Sequence, residues 1–186
     1  MAGIKTEETI HKLKNEEPII FGTDTINGIG CLYSSKKAAD KIFKIKGRDP
    51  LKPLILLCSS IEMVERFFEF DKCSRDLALK YLPGALTIIA RPKVKLNSYL
   101  LYEGYASFRI PARESLIKII EAIGEPLAST SLNISKESVM TDRNKVNEVF
   151  NGIYICNSLS SKTIPSTVVK CVLGKAEIIR KGIVKI

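Results

Sequence analysis

Within the nine positions from Lys44 to Lys52, four cations (Lys44, Lys46, Arg48 and Lys52) stand against a single acid, Asp49. Gly47, Pro50 and Pro53 hold this stretch, KIKGRDPLKPL, out of regular structure. A loop so basic and so restricted suits a polyphosphate held by side chains, and arginine adds a two-pronged grip that lysine lacks. Lys46 and Arg48 flank the glycine at which a helix should stop. Cations there can also serve the helix's own loose carbonyls, so spacing alone leaves both roles open. The loop then feeds an apolar strand, which sets its cations at a strand's entrance rather than on an open surface.

Two further stretches pair an apolar strand with small polar groups. ASTSLNIS (128–135) sets Ser129, Thr130, Ser131, Asn133 and Ser135 at and beyond a strand's end. Such residues serve caps and turns, and they are also how open α/β sheets offer hydrogen bonds to a ligand. FGTDTINGIG (21–30) has the same design: a strand, then Thr-Asp-Thr, then glycines. Arg109 lies inside the apolar run ASFRIP, where a guanidinium must find an anion or several acceptors. A ligand carboxylate and a structural ion pair both satisfy that demand.

Other chemistries are excluded by what is missing. No Gly-x-x-x-x-Gly-Lys-Ser/Thr loop is present, and NGIGCL lacks the third glycine of a dinucleotide fingerprint. The only histidine, His11, lies in a polar N-terminal segment, which argues against a histidine triad or a Cys/His zinc site. The five cysteines (31, 58, 73, 156 and 171) form no CxxC pair and read as buried, reduced thiols. The net charge of +9 favours polyanionic partners, nucleic acid and nucleotides among them. No apolar run approaches the ~20 residues of a membrane span. The N-terminus lacks the apolar core of a secretion signal and reads as a short helix, so a cytoplasmic protein is expected.

These groups need a scaffold, and the chain alternates β-like with helical runs. Strands are expected at 18–23, 53–58, 85–90, 106–111, 126–131 and 153–156. Helices are expected at 35–47 with Gly47 as the stop, at 60–68 capped by Ser60, up to Leu82, at 114–124 ended by Gly124, and after a Thr141 cap. A hairpin turning at Gly174 and one more short strand close the chain. With 186 residues and no linker, 1–186 reads as a single domain of α/β class with a twisted, mixed parallel and antiparallel sheet flanked by helices.

TDTINGIG, KGR followed by KPL, PGALTI, FRIPA, STSLN and PSTVV…IIRKG occur in the order found in YrdC-like proteins, the threonylcarbamoyl-AMP synthases. The resemblance spans roughly residues 15–183. It implies a concave, basic sheet face and the first step of making N6-threonylcarbamoyladenosine at position 37 of tRNA. In that step L-threonine, bicarbonate and ATP, carried with Mg²⁺, give threonylcarbamoyl-AMP and pyrophosphate, and other proteins transfer the group to tRNA. Lys46, Arg48, Ser131 and Asn133 resemble the family's Lys-x-Arg and Ser-x-Asn nucleotide site, with Lys46 and Arg48 as the catalytic cations. Arg180 resembles its late ATP-contacting arginine, and Thr23, Arg109, Ser129 and Ser166 its threonine contacts; no protein metal site is implied.

The chain departs from the pattern at Asn27 (usually Tyr), Leu57 (His in some members) and Tyr105 (Thr in some), and ISKESVMT lacks the usual Gly and Pro. It ends soon after Arg180, as in the short, single-domain members. Adenylation of this kind needs positioned cations and no protein nucleophile, which suits the residue inventory. Two rivals are a basic RNA-binding module without catalysis, with tRNA on the basic face, and an adenylating domain that uses carbamoyl phosphate. Arg109 inside an apolar strand argues against the first, because contacts to a phosphate backbone come from exposed residues.

Overall fold

The computed structural model describes the backbone of residues 2–186 and the side chains of residues 6–186. Its helices are α1 (Ala2–Lys14), α2 (Lys36–Lys46), α3 (Ile61–Phe67), α4 (Lys72–Tyr81), α5 (Glu114–Ile123) and α6 (Arg143–Val149). Short polar side chains start several of them by accepting from an orphan N–H of the first turn. Ser35 Oγ takes the Ala38 N–H, Ser60 the Met63 N–H, and Asp71 the Ser74 N–H. Gly47 stops α2 in the left-handed region (φ 56°), a conformation that a side chain disfavours and that turns the chain sharply into the basic loop.

Nine strands form one sheet: β1 (Ile19–Phe21), β2 (Gly28–Leu32), β3 (Ile55–Leu57), β4 (Leu86–Ala90), β5 (Ala106–Arg109), β6 (Leu127–Ser131), β7 (Tyr154–Ile155), β8 (Thr167–Val172) and β9 (Lys175–Arg180). Their order is β7-β1-β2-β6-β3-β5-β4-β8-β9. The β1/β7, β3/β5 and β4/β8 pairs are parallel, and the other pairs antiparallel. The mixed sheet expected from the alternating pattern is therefore present.

Because side chains alternate across a strand, register decides which residues share a face. Cys31, Ala128, Leu56, Phe108, Ile88 and Val169 form a continuous row of cross-strand partners over six strands. That row joins the apolar faces of α2 (Ala38, Ala39, Ile42), α3 (Met63, Val64, Phe67) and α5 (Leu116, Ile119, Ile120) in one core. The intervening positions, including Ser129, Ser107, Arg109 and Thr87, fall on the opposite face. The core row thus sets out the polar row by default.

Three local expectations differ from the structure. NGIGCL, where no strand is expected from the sequence, is mostly strand, β2. Its glycines answer a close approach: a Cβ on Gly28 would fall 2.6 Å from the Phe21 ring, and one on Gly30 would fall 2.7 Å from the Ala128 carbonyl oxygen. Helix α6 is capped by Asp142 rather than Thr141, with the carboxylate accepting from the Lys145 N–H at 2.8 Å. Residues 181–186 form no strand. Thr167 Oγ1 ties them down instead, donating to the Val184 carbonyl and accepting from the Gly182 N–H.

The close fit over β2 yields a test. Gly28→Ala should destabilise the fold by about 1–3 kcal/mol, the usual cost of overpacking a filled site. In a Phe21→Leu background the same change should cost markedly less. Thermal unfolding of the four proteins of this cycle measures the coupling; equal costs in both backgrounds would show that the Phe21 ring is not the obstacle.

Candidate anion-binding site

A pocket of ≈ 190 Å³ opens on the polar face of the sheet. Thr23 reaches it from the turn after β1, Arg48 from the loop after α2, and Arg109 from the end of β5. Ser129 and Ser131, two apart on β6, line it together, and Ser166 and Arg180 enter from the two arms of the β8–β9 hairpin. Seven of the nine residues singled out from the sequence thus meet in one place. Thr130, part of the hydroxyl row of ASTSLNIS, lines it as well; Thr87 and Ser107 also do and were missed, although period two along β5 puts Ser107 on the face of Arg109.

Lys46 and Asn133, the other two, do not line the pocket. Lys46 is 1% exposed, and its Nζ donates to Ser131 O (2.5 Å), Asn133 Oδ1 (3.1 Å) and Asn133 O. Asn133 Oδ1 also accepts from Ser131 Oγ, while its Nδ2 donates to the Ile134 and Glu137 carbonyls. Expected to face a ligand, the two residues face each other and hold the turn after β6. Burial and then the like charge of Arg48 push the Lys46 pKa down to about 7. The three oxygens around Nζ oppose this: an ammonium fills all three with N–H donors, an amine only two. The geometry is that of the ammonium.

Arg109 is 4% exposed and resolves the choice posed by its apolar strand. Its Nη2 pairs with Asp24 Oδ1 (2.7 Å), Nη1 donates to Thr25 Oγ1 (2.7 Å) and Nε to the Gly84 carbonyl (2.8 Å). Burial lowers its pKa, and Asp24 opposes that shift. The ion pair is real, and one N–H on each terminal nitrogen remains beyond these bonds, on a residue that lines the pocket.

Arg48 and Arg180 are placed differently. Arg48 donates to the Lys52 and Pro53 carbonyls, and Arg180 to the Ser166 carbonyl and hydroxyl. Neither forms a salt bridge with a carboxylate among the described residues. Burial lowers the Arg48 pKa, with Asp49 opposing, whereas burial and then the like charge of Arg109 lower that of Arg180. Arg180 is exposed as a whole; its guanidinium end, turned back over Ser166, is the part that feels both effects. Three guanidinium groups face one pocket with a single internal carboxylate among them, an arrangement that favours an anionic ligand.

The positions that depart from the resemblance have clear places. Asn27 is fully buried; Nδ2 donates to the Met140 and Ser160 carbonyls and Oδ1 accepts from the Ser160 N–H, clamping three segments at the wall of the pocket, which Asn27 also lines. Leu57 lines the pocket with Ile26, Ile55 and Val168 as an apolar wall. Tyr105 lies in an adjoining pocket of ≈ 160 Å³ with Tyr102, Ile89 and Ile179, and the Lys170 ammonium stands 4.5 Å from its ring centroid. No group of three or more metal-ligating side chains occurs among the described residues. No described helix is long and apolar enough to cross a membrane.

Comparison with known proteins adds names. The family model for Sua5, YciO and YrdC proteins, described as "Telomere recombination", matches residues 11–182. A Methanocaldococcus jannaschii protein is 33% identical over 180 residues, covering 94% of this chain and 84% of its own. The threonylcarbamoyl-AMP synthase of Pyrococcus abyssi is 31% identical over 170 residues, and the chain spans 50% of that protein's length. Among solved structures, P. abyssi Sua5 complexed with L-threonine superposes with a TM-score of 0.87 at 26% identity, over 95% of this chain and 54% of that one. Escherichia coli YciO, at 20% identity and a TM-score of 0.87, shares the fold over 98% of this chain and 91% of its own.

The contrast between Lys46 and Arg48 is testable. Lys46→Met leaves the Asn133 carbonyl without its donor, while Asn133 Oδ1 and the Ser131 carbonyl keep one each, and should cost about 1–3 kcal/mol. Arg48→Ala removes only loop contacts and should change stability by less than about 1 kcal/mol. Urea unfolding of both variants decides; equal, small losses would return Lys46 to the ligand side of the site.

Proposed function

The chain belongs to the family of Sua5, YciO and YrdC proteins, and from that premise we propose that it is a threonylcarbamoyl-AMP synthase. It joins L-threonine, bicarbonate and ATP into threonylcarbamoyl-AMP with release of pyrophosphate, the step that precedes transfer of the group to tRNA by other proteins. The observation that carries this reading is the pair of guanidinium groups, Arg48 and Arg180, that face the pocket of Arg109 without a carboxylate partner.

In this reading Arg48 and Arg180 hold the polyphosphate, with Ser131 beside them. The remaining N–H groups of Arg109 take the threonine carboxylate, and Thr23, Ser129 and Ser166 supply hydroxyls around the amino acid. Asp24 keeps Arg109 charged and oriented for that task. The apolar wall of Leu57, Ile55 and Val168 receives the threonine methyl, and the adjoining tyrosine-lined pocket has room for a nucleobase. ATP brings its own Mg²⁺, bound by its phosphates.

The bond-making step asks little covalent work of the protein. A carbamate oxygen of threonine attacks the α-phosphorus, and pyrophosphate leaves from the opposite side. Charge moves onto the leaving group, where fixed guanidinium groups stabilise it more in the transition state than in the bound substrate. The adenylate forms before any transfer, so tRNA has no part in this step.

Pyrophosphate release, measured with each component omitted in turn, tests this directly. Turnover should require ATP, L-threonine and bicarbonate together and should not require tRNA. Serine should be a poorer substrate by roughly 1–3 kcal/mol, the worth of one methyl in a fitted apolar pocket. Turnover indifferent to threonine, or tRNA binding without turnover, would overturn the assignment.

Arg109→Lys should raise KM for threonine more than KM for ATP, because an ammonium cannot copy a two-pronged grip on a carboxylate. A variant that melts earlier with unchanged threonine dependence would leave Arg109 as a partner of Asp24 alone. Arg48→Ala, stable by the argument above, should lose on the order of a hundredfold in turnover.

A further inference from the structure

Cys73 and Cys171 are 98 positions apart in the chain, yet their Sγ atoms lie 2.8 Å apart. Cys73 is the second residue of α4 and half-buried; Cys171 lies in β8 and is 4% exposed. Both are free thiols. Asp71 already joins the same two elements beside them: one carboxylate oxygen accepts from Ser74 N–H and Oγ at the start of α4, the other from the Gly174 N–H in the β8–β9 turn. A cavity of ≈ 350 Å³, separate from the anion site, opens on this spot and is lined by Phe70, Asp71, Ser74, Arg91 and Cys171. Cys31 and Cys58 offer a contrast: both are fully buried, and burial pushes their thiols up to about 12.

We propose that Cys73 and Cys171 form a reversible dithiol–disulfide site, oxidised by exchange with a low-molecular-weight disulfide that meets the half-buried Cys73 from solvent, while the cavity beside Cys171 leaves that sulfur room to move. The half-buried Cys73 reacts first. It loses its proton to water and attacks the small disulfide, whose S–S bond breaks and releases one half as a thiolate. Cys171 then attacks Cys73 Sγ, forming the protein disulfide and expelling the second half. Two protein thiols and one small disulfide thereby become one protein disulfide and two small thiols, so atoms and electrons balance. Burial, and then its contact with Cys73, raises the Cys171 pKa, which suits the resolving rather than the attacking sulfur. A disulfide's S–S bond is about 2.05 Å, so closing it moves the two sulfurs together by less than an ångström in total.

The crosslink would fasten α4 to the hairpin whose arms bring Ser166 and Arg180 to the anion site. It also closes a long loop, the case in which a disulfide restricts the unfolded chain most.

The test treats the full chain with reduced and oxidised glutathione at graded ratios, followed by peptide mapping without reduction. One linked peptide pair, containing Cys73 and Cys171, is expected. Two thiols should become resistant to alkylation, and Tm should rise by on the order of 10 °C and fall back with dithiothreitol. Cys171→Ser should trap glutathione as a stable mixed disulfide on Cys73, and Cys73→Ser should show neither product. If both cysteines stay open to alkylation at every ratio, or a different pair is linked, the proposal fails. Because mapping of the unmutated chain decides, poor folding of either variant would not shield it, and no readout depends on turnover.

Discussion

A buried ammonium organises the site. Lys46 ends α2, and its three N–H donors are spent on the Ser131–Asn133 segment that follows β6. The Lys46 carbonyl in turn accepts the Ser135 N–H at 3.0 Å, so side chain and backbone both tie the helix end to the strand end. That junction sets where Arg48 emerges, one residue beyond Gly47, and where Ser131 stands on the opposite rim. Removing a cation from water is costly unless its donors are all used, and here they are. A charge buried at such cost makes a rigid joint. A reaction that depends on positioned cations rather than a nucleophile needs rigidity of that kind.

The guanidinium groups around the pocket divide the electrostatic work. Arg109 is neutralised by Asp24 and locked by Thr25 and Gly84, which makes it a fixed wall. Arg48 and Arg180 lean on carbonyl oxygens, which orient them without cancelling their charge. The same tension lowers the pKa of both arginines: burial works against each cation, with Asp49 opposing it at Arg48 and the like charge of Arg109 adding to it at Arg180. Charge not cancelled by a carboxylate at the pocket is stabilisation held ready for an anion, and most of all for one whose charge grows as a bond breaks.

Much of this was legible in the sequence because it rests on local rules. Gly47, Gly124, Ser60 and the apolar spacing of α2 and α5 mark their helices through caps and periodicity, which need no tertiary information. β2 was not legible because Gly28 and Gly30 carry no strand signal; the Phe21 ring and the Ala128 carbonyl, brought in by neighbouring strands, are what leave room for hydrogen alone. Lys46 misled for a related reason. Spacing placed it beside Arg48 at a helix end, but one residue of helix rotation separates a side chain pointing into the fold from one pointing into a pocket. Ser107 and Thr87 were readable in principle, since they share a strand face with residues of the pocket, yet a lone hydroxyl in an apolar run carries no signal until register is known. Asn27 could be seen as a departure, whereas its partners, 113 and 133 positions away, could not.

The most exposed part of the scaffold carries one of its most important charges. β9 is an edge strand, exposed along its whole length, and it pairs with β8 alone. Edge strands fray first, because one side of their ladder has only water for a partner. Arg180 nevertheless sits at the end of this strand, and what fixes it is its grip on Ser166, at the start of the other arm of the hairpin. Ser166 Oγ is itself 2.8 Å from Thr87 Oγ1 on the buried strand β4. A chain of contacts, β4 to Ser166 to Arg180, thus extends order from the core to the rim. The hairpin then combines an accurate cation with an edge free to move, as a pocket requires if it is to admit a large, charged substrate and release a product of similar size.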